Sequence, residues 1–417
     1  MTKILVVGLG YIGLPTAALF ANNGYDVVGL DNNPSLVETV KNGSVHIEEP
    51  GLSTLVAAAY NAKKITAVTK PEEADVFIVA VPTPITKDKK ADLSCLISAV
   101  NSIIPVLRKG NLVILESTVP PKTTQDIILP LLEKTGLELG SELLVAHCPE
   151  RVLPGSILKE LIANDRVIGG INNESALQAK KLYEVIVEGK IYTTDSTTAE
   201  IVKLAENTFR DVNIGLANEL AQICYQQGVN VWEVMQLANR HPRVDIHNPG
   251  PGVGGHCLAV DPYFLIETIN NETSIIAQGR NVNEGMPLFV SKVVAEQFPD
   301  IKQGKVAIFG VTYKGNVNDT RESPAIKVIE LLLKLGYKVK IYDPHVNKFQ
   351  YEVNSLEETI EKADLIIILA DHREFKYLDP KKVGNLMRNR NVFDTKNCVD
   401  HSDWENAGFK LKVIGKS

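Results

Sequence analysis

The first 31 residues constrain the fold more strongly than any other stretch of the chain. An apolar run over residues 3–8 predicts a buried strand, and the pattern Gly8-x-Gly10-x-x-Gly13 opens a helix-like segment directly after it. A second apolar strand over residues 26–30 ends at Asp31. Glycines in this context let a pyrophosphate approach a helix N-terminus, and an acid about 20 residues further on binds ribose hydroxyls. The sequence therefore predicts a dinucleotide-binding α/β domain.

The residues around Asp31 also indicate which dinucleotide binds. Asn32 and Asn33 follow it, so this turn has no arginine to pair with a 2′-phosphate. Asp31 would accept hydrogen bonds from ribose hydroxyls and would repel that phosphate. We therefore expect NAD rather than NADP.

Two further apolar strands are followed by hydroxyl side chains. The strand at residues 75–81 leads to Thr83, and the strand at residues 111–115 leads to Thr118. Ligands of an open α/β sheet lie beyond the carboxyl ends of its strands, so both threonines are candidate ligand contacts. Capping of the following helix is an equally good interpretation of these hydroxyls.

A polar cluster follows another apolar run. Residues 143–146 lead into His147, Cys148, Glu150 and Arg151. The histidine and the cysteine are equally compatible with core positions. Glu150 and Arg151 are stronger site candidates, because charged groups beside a buried strand require partners.

Residues 197–227 are compatible with one continuous helix, since they contain no proline and end before Gly228. Such a helix is about 45 Å long, enough to connect two domains. Lys203, Asn207 and Arg210 have the spacing that places side chains on one helix face. A solvated face is the usual explanation, but asparagine has poor helix propensity and usually has a reason to be inside a helix.

The segment Gly250–Cys257, called the cysteine loop below, contains four glycines and ends at a single cysteine. Asp261 follows four residues later. Glycines bring a backbone close to a ligand, at an entropic cost that a plain surface loop has no reason to bear. An ionised cysteine presented there can act as a nucleophile. A small buried residue beside a turn is the alternative.

Residues 238–244, just ahead of this loop, place Arg240, His241 and Arg243 around a proline. The chain has a formal net charge of −6, so a local basic cluster suits an anionic ligand such as a diphosphate. A surface turn is the alternative interpretation.

The alternation of strands and helices restarts in the C-terminal part of the chain. Apolar strands are predicted at residues 305–310, 338–342, 365–369 and 391–393. The first of them is not followed by the dinucleotide glycines, which indicates a second nucleotide-type domain. Lys314, Arg321 and Lys396 lie at or just after strand ends, where phosphates bind.

The fold class predicted from these patterns is α/β, with two Rossmann-like doubly wound parallel sheets joined by a long central helix and a small all-helical middle domain. We expect an NAD-binding domain at residues 1–195, a helical domain with the cysteine loop at residues 196–300, and a second nucleotide-type, Rossmann-like domain at residues 301–417, for which the family resemblance given below implies UDP-sugar binding.

Composition excludes several functional classes. The chain is 44% hydrophobic and 23% charged, without a basic run for nucleic acid or an anionic membrane and without a long apolar span. Its five cysteines are scattered and lack Cys-x-x-Cys spacing, so we expect neither a disulfide framework nor a metal site. A cytoplasmic location is expected.

Together these motifs resemble the UDP-glucose/GDP-mannose dehydrogenase family over essentially the whole chain. The resemblance rests on the N-terminal glycine motif, Glu150, the helix with Lys203 and Asn207, the Gly-Gly-His-Cys257 loop with Asp261, and the Tyr313-Lys314 turn up to Arg321. The segments around Arg151, Arg210, Arg243 and Cys257 are most similar to the branch that acts on UDP-N-acetylmannosamine.

The resemblance implies an NAD-dependent enzyme that oxidises C6 of a UDP-N-acetylhexosamine twice and forms a homodimer through its central helical region. It implies catalytic roles for Cys257, Lys203, Asn207, Asp261, Glu150 and Thr118. It implies cofactor contacts from Gly8, Gly10, Tyr11, Ile12, Gly13, Asp31, Thr83, Thr118 and Arg321. Substrate contacts are implied for Arg151, Val152, Lys203, Asn207, Arg210, His241, Arg243, Gly254, Tyr313, Lys314 and Lys396.

Two rival functions remain open at this point. A two-electron hydroxyacid dehydrogenase also combines a Rossmann domain with a long helix that carries lysine and asparagine. It needs neither Cys257 nor a second nucleotide-type domain. A catalytically silent nucleotide-sugar sensor is the other rival, but it has no need to retain every candidate catalytic residue.

Asp31→Ala should weaken NAD binding about tenfold to a hundredfold, because charged hydrogen bonds to the ribose are lost. Binding of the UDP-sugar should change far less. Titration of each ligand against the wild type and the variant measures both effects. Equal turnover of the wild type with NAD and with NADP would contradict the role given to Asp31.

Overall fold

The structure is a computed structural model that describes residues 2–153, 155–269, 273–301 and 304–416. The chain divides into two compact units. The first comprises Met1–Glu206 and Tyr263–Ile269, and the second comprises Asn207–Pro262 and Asn270–Ser417.

The first unit contains an eight-stranded sheet. Its strands are β1 (Lys3–Val7), β2 (Asp26–Leu30), β3 (Ile65–Val68), β4 (Val76–Val79), β5 (Asn111–Leu115), β6 (Leu143–His147), β7 (Arg166–Gly170) and β8 (Ile191–Asp195). Their order is β3-β2-β1-β4-β5-β6-β7-β8, and every neighbouring pair is parallel except β6 and β7. The order reverses between β1 and β4, which is where an open α/β sheet binds its ligand. The predicted dinucleotide-binding topology is confirmed.

Helices cover both faces of this sheet. They are α1 (Gly13–Asn22), α2 (Pro34–Lys41), α3 (Leu52–Asn61), α4 (Ser94–Ile103), α5 (Leu129–Leu132), α6 (Ile157–Ala163) and α7 (Asn173–Tyr183). Ile4 and Val6 pack into the core on one face, whereas Leu5 and Val7 pack into the core on the other. Both cores are apolar, as expected for parallel strands buried on two faces.

The turn between β1 and α1 depends on its last glycine. A Cβ atom added to Gly13 would overlap the carbonyl oxygen of Gly8. Only glycine therefore allows α1 to begin this close to the strand, which is the packing that the third glycine of the motif provides.

The long helix α8 (Ser196–Gln227) confirms the predicted helix over residues 197–227. The division between the two units falls within it, after Glu206. Three more helices complete the middle of the chain: α9 (Val231–Ala238), α10 (Asp261–Ile269) and α11 (Ile275–Gln297).

The second unit contains a five-stranded parallel sheet. Its strands are β9 (Lys305–Phe309), β10 (Lys338–Tyr342), β11 (Leu365–Ile368), β12 (Asn391–Asp394) and β13 (Lys410–Val413), in the order β10-β9-β11-β12-β13. Its remaining helices are α12 (Pro324–Lys334), α13 (Leu356–Ile360), α14 (Pro380–Leu386) and α15 (His401–Asn406). This strand order is also doubly wound, with its switch point between β9 and β11. The predicted second nucleotide-type sheet is confirmed, with β13 as an additional edge strand.

Among the described residues, no helix is both long enough and apolar enough to cross a membrane.

Candidate active site

Asp31 is fixed beside the glycine turn of the first unit. Its Oδ2 accepts a hydrogen bond from the backbone N–H of Leu9 at 2.9 Å, and its Oδ1 accepts one from Asn33 at 2.9 Å. A Cβ added to Gly10 would meet no protein atom within 4 Å. No side chain caps α1 at Ile12, and its first turn contains no acidic residue. A dinucleotide requires open space beside the glycine turn, free backbone N–H groups at the helix N-terminus and a carboxylate fixed in one orientation, and this turn provides all three.

The carboxyl ends of β4 and β5 bring Thr83 and Thr118 together. The Thr83 hydroxyl donates to the carbonyl oxygen of Thr118 at 2.6 Å. The Ser117 hydroxyl accepts from the N–H of Val81 at 3.0 Å and donates to its carbonyl at 2.7 Å. Two adjacent strand ends therefore form one rigid edge at the ligand side of the sheet.

A cluster of buried charges lies behind this edge, and we call it the Arg166 cluster: Glu116, Cys148, Glu150, Arg166 and Tyr183. The Arg166 guanidinium donates to Glu150 Oε2 at 2.8 Å and lies 4.0 Å from Glu116 Oε1. The Tyr183 hydroxyl donates to Glu116 Oε1 at 2.6 Å, and the Tyr183 ring faces the guanidinium at 4.7 Å. The Arg166 guanidinium is thus the counter-ion of two carboxylates, those of Glu116 and Glu150.

Glu150 is therefore held in one orientation. Its Oε2 pairs with Arg166, and its Oε1 accepts from the backbone N–H of Arg151 at 2.6 Å. Sequence reasoning identifies Glu150 but misses its partner. Its partner could have been found from the sequence, because Arg166 begins an otherwise apolar strand, where a buried charge requires a counter-ion.

Burial changes the acid–base properties of this region. It raises the pKa of Glu116 to about 7, with Arg166 opposing the shift. It lowers the pKa of His147 to about 3 and raises the pKa of the Cys148 thiol to about 12. His147 is therefore neutral and Cys148 is a thiol at neutral pH, so neither residue is prepared for catalysis.

The next residues of the first unit are held by local contacts. The Arg151 guanidinium pairs with Glu206, with its Nε at 3.0 Å, and donates to the carbonyl oxygen of Asp165 at 2.9 Å. Val152 is partly buried against the core. Lys203 is buried on α8. One turn earlier, Glu200 accepts hydrogen bonds from Lys122 and Thr124, which fixes the segment that follows Thr118.

The cysteine loop ends in a tight turn in the second unit. The carbonyl oxygen of Cys257 accepts from the N–H groups of Val260 at 2.9 Å and Asp261 at 2.8 Å. The Asp261 carboxylate accepts from the Asn207 amide at 2.6 Å, and both side chains are buried. This hydrogen bond joins the turn of the candidate nucleophile to the polar face of α8.

The cysteine loop also packs against the turn after β9. The N–H of Gly255 donates to the carbonyl oxygen of Arg321 at 3.0 Å. A Cβ on Gly254 would overlap the carbonyl of Glu322 and lie 2.9 Å from Tyr313 Cβ. Gly254 is therefore required for close approach of two backbones, whatever its contact with a ligand.

The candidate cations of the second unit occupy different places. Lys396 Nζ would lie 3.5 Å from a Cβ on Gly250, so this lysine reaches the start of the cysteine loop. The Arg321 guanidinium is paired with Asp319 at 2.6 Å. Lys314, His241 and Arg243 are exposed, and Arg210 is half-buried. The contacts found among the described residues do not bring this last set of four to the cysteine loop.

Comparison with known proteins assigns the chain as a whole. Profiles of the UDP-glucose/GDP-mannose dehydrogenase family match its NAD binding domain at residues 2–187, its central domain at residues 197–285 and its UDP binding domain at residues 307–401. The chain belongs to the UDP-glucose/GDP-mannose dehydrogenase family. NAD is accordingly the cofactor of the first unit.

Individual relatives of this family member match it over nearly their full length. It is 51% identical over 422 residues to a UDP-N-acetyl-D-mannosamine dehydrogenase from Methanococcus vannielii, covering 99% of this chain and 97% of the relative. The solved UDP-D-ManNAc dehydrogenase from Pyrococcus horikoshii aligns with a TM-score of 0.94 at 42% identity, covering 99% of both chains. A UDP-N-acetyl-mannosamine dehydrogenase from Staphylococcus aureus aligns with a TM-score of 0.92 at 44% identity, covering 100% of this chain and 99% of that one.

The Glu116→Gln substitution should become more stabilising, relative to wild type, as pH rises. The pKa of Glu116 is about 7 in the folded protein, above its usual value of 4.5. Such a carboxyl contributes its full stabilisation below pH 4.5, and this stabilisation is lost as the pH rises through 7. Glutamine cannot ionise, so the variant should gain up to about 3 kcal/mol relative to wild type between pH 5 and pH 8. Denaturation midpoints at the two pH values measure this gain.

Glu150→Gln is the matched control, because it removes the carboxylate that pairs most closely with Arg166. It should lower stability at both pH values, by up to about 3–5 kcal/mol, because Glu116 remains as a second carboxylate beside Arg166. A difference between Glu116→Gln and wild type that does not change with pH would show that Glu116 is ionised throughout this range.

Proposed function

We propose that this chain is an NAD-dependent UDP-N-acetyl-D-mannosamine 6-dehydrogenase. It oxidises the C6 hydroxyl of the sugar by four electrons to the carboxylate. The observation that carries the proposal is the turn that joins Cys257 to Asp261, with Asp261 bound to Asn207 at 2.6 Å. A two-electron dehydrogenase has no need for such a turn.

The first oxidation converts the alcohol to an aldehyde. NAD, when bound, supplies the hydride acceptor for both oxidations, one NAD for each. Lys203 and Asn207 stabilise the alkoxide that develops as the hydroxyl loses its proton. Lys203 suits this role because it is buried, and a positive charge acts more strongly away from water. Asn207 uses one N–H on Asp261, and an amide has a second.

The second oxidation requires a carbon that again carries a removable hydride. The Cys257 thiolate adds to the aldehyde carbon, the C=O π bond breaks, and the oxygen takes up a proton to give a thiohemiacetal. This carbon then loses a hydride and its hydroxyl loses a proton, which leaves a thioester. Two NAD are therefore reduced for each sugar.

Hydrolysis completes the cycle. Water attacks the thioester carbonyl, the C–S bond breaks, and the carboxylate leaves as Cys257 regains its thiolate, while the two protons of the water pass to solvent. We assign the positioning of this water and of Lys203 to Asp261, Glu150 and Thr118. Each is held before substrate binds: Asp261 by Asn207, Glu150 by Arg166, and Thr118 through its carbonyl by Thr83.

We assign ligand binding to both units. NAD contacts are proposed for Gly8, Gly10, Tyr11, Ile12, Gly13, Asp31, Thr83, Thr118 and Arg321. UDP-sugar contacts are proposed for Arg151, Val152, Lys203, Asn207, Arg210, His241, Arg243, Gly254, Tyr313, Lys314 and Lys396. Two arginines are less available than the others for a ligand, because Arg151 pairs with Glu206 and Arg321 pairs with Asp319.

The N-acetyl group is proposed from two supports. Relatives at 42–51% identity over the full chain are named for UDP-N-acetylmannosamine. In addition, Arg210, His241 and Arg243 provide more donors than a diphosphate needs beside Lys314 and Lys396, and an acetamido carbonyl is a suitable acceptor. UDP-N-acetylglucosamine and UDP-glucose are the alternative substrates. A cytoplasmic site of action is proposed with them, since NAD and UDP-sugars are cytoplasmic metabolites.

A homodimer is proposed through α8. Phe209, Leu216 and Ile223 recur every seven residues and are 61%, 48% and 47% exposed. Apolar side chains at this spacing form one stripe along a helix, and such a stripe marks an interaction surface.

Leu216→Glu should shift the mass in light scattering from two chains to one, because a charge cannot be buried in an apolar interface. Leu335→Glu, at an exposed leucine of the second unit that lies outside this stripe, is the control. A wild type that is monomeric at micromolar concentration would disprove the dimer.

Turnover of three UDP-sugars with saturating NAD tests the function. UDP-N-acetylmannosamine should have the highest kcat/KM, UDP-N-acetylglucosamine the next and UDP-glucose the lowest. Donors that the bound sugar shields from water and leaves unpaired cost about 1–3 kcal/mol each, which is roughly tenfold to a hundredfold. Each sugar acid should appear with two NADH. Arg243→Ala should reduce the preference for acetylated sugars, and an equal loss on all three would assign Arg243 to their common part.

Cys257→Ala is the control for the chemistry. It should still bind both ligands but form no acid. If UDP-glucose matched both acetylated sugars, or if Cys257→Ala formed acid at the wild-type rate, the assigned substrate or mechanism would be wrong.

A further inference from the structure

A buried polar network lies between α8 and α11 in the second unit. It consists of Asp211, Asn218, Arg280 and Asn283, each of which is at most 3% exposed. The two helices approach closely here, since a Cβ on Gly215 would lie 3.1 Å from Gly279 Cα. At this distance short amide side chains can bridge the helices directly. The mechanism above uses none of these residues.

The network fixes the orientation of two amides. Asn283 Nδ2 donates to the backbone oxygen and to Oδ1 of Asp211, both at 2.9 Å. Arg280 pairs with the same Oδ1 at 2.6 Å. Since both groups that Asn283 Nδ2 meets are acceptors, Asn283 must present its oxygen to Asn218. Asn218 Nδ2 donates to that oxygen at 2.8 Å.

The same hydrogen bonds fix the orientation of the Asn218 amide, because its Nδ2 donates to Asn283. The oxygen of this amide accepts a hydrogen bond from the N–H of Gly250 at 2.8 Å, and Gly250 is the first residue of the cysteine loop. Gly250 itself is buried. An unpaired buried N–H is unfavourable, so the loop is held where Asn218 can accept from it.

A second contact follows two residues later. Pro287 lies inside α11 and has no N–H, so it cannot donate to the carbonyl of Asn283 in the helix ladder. That carbonyl oxygen lies 3.1 Å from where a Cβ on Gly252 would be. The backbone of Asn283 thus lies close to the loop at Gly252, where a side chain would not fit without displacement.

We propose that Asn218 is a positioning residue for Cys257, because it anchors the start of the cysteine loop to α8. Asn207 anchors the other end through Asp261. Between these anchors the loop has only glycines, Pro251, Val253 and His256 before the cysteine. The position of Cys257 therefore depends on both anchors, together with the hydrogen bond from Gly255 to Arg321 between them. This inference rests on the proposed function, in which Cys257 acts only in the second oxidation.

Asn218→Leu tests the proposal, since leucine has a similar size but cannot accept from Gly250. A displacement of about 1 Å at a reacting atom lowers a rate by about 100-fold. We expect the second oxidation to slow by about this factor while the first is less affected. The ratio of NADH to acid should then rise above two, and a carbonyl reagent should trap the aldehyde. A ratio that stays at two would overturn the proposal.

Asn218→Asp keeps the test valid if the leucine variant does not fold. A protonated aspartic acid can donate to Asn283 and accept from Gly250, as the amide does. Once ionised it faces the oxygen of Asn283. The charged groups around this network are Asp211, Arg280 and Glu284, which pairs with Arg280 at 3.4 Å, and Lys396 lies beside Gly250. The variant should therefore approach wild type at low pH and lose the second oxidation as pH rises. Equal loss at pH 6 and pH 9 would contradict the role of this hydrogen bond.

Asn111→Leu is the matched control. Asn111 is also a buried amide; it accepts from the N–H of Arg108 at 2.8 Å and donates to the carbonyl of Ala74 at 2.9 Å in the first unit. Its loss should lower stability without changing the ratio of NADH to acid. Cys257→Ala separates the two hypotheses. If that variant still forms acid, the proposed function fails; if only Asn218→Leu behaves like wild type, the positioning role fails alone.

Discussion

Amide side chains on α8 hold the segment that carries the cysteine. Asn207 binds Asp261, Asn218 binds Gly250, and Asn213 joins the backbone of residues 245 and 247 at 2.9 Å each. Asparagine is an unfavourable residue inside a helix, and three of them reduce the intrinsic stability of α8. The helix tolerates this loss because it also buries apolar side chains, such as Leu204 and Ala217. Its polar face is then available to organise a loop that has almost no side chains of its own.

Charge is used differently in the first unit. Glu116, Glu150 and Arg166 are removed from water together, and such a group adds little to stability compared with apolar residues of the same volume. What it supplies is orientation. The carboxylate of Glu150 meets a guanidinium and a backbone N–H, which leaves it little freedom to rotate. A protonated Glu116 would leave one cation and one anion, which removes the repulsion between the two carboxylates.

The sequence predicts the parts of this molecule that depend on short-range pattern. The nine predicted strands have apolar runs and α8 has unbroken helix-compatible composition, and these elements form within one or two residues of the predicted limits. Four of the described strands are not predicted. β3 and β8 are edge strands with exposed residues, β7 begins with an arginine and ends with two glycines, and β13 alternates lysines with apolar residues. The Arg166 cluster is not predicted, because its members lie in the segments after β5 and β6, in β7 and in α7, which are far apart in the sequence. Asn218 carried the same signal as Asn207, an asparagine in a helix, and that signal was available from the sequence.

Pro287 and Gly252 have a consequence for engineering this protein. Replacing glycines by alanine in loops and removing prolines from helices are common routes to greater thermal stability. Here the proline leaves the Asn283 carbonyl without its helical donor, and the glycine occupies the space beside that oxygen with a φ of 134°. An alanine at position 252 would meet Pro324 at 2.9 Å as well as the carbonyl oxygen at 3.1 Å. The two residues form a single unit across a helix and a loop, so a thermostability library has to exempt them as a pair.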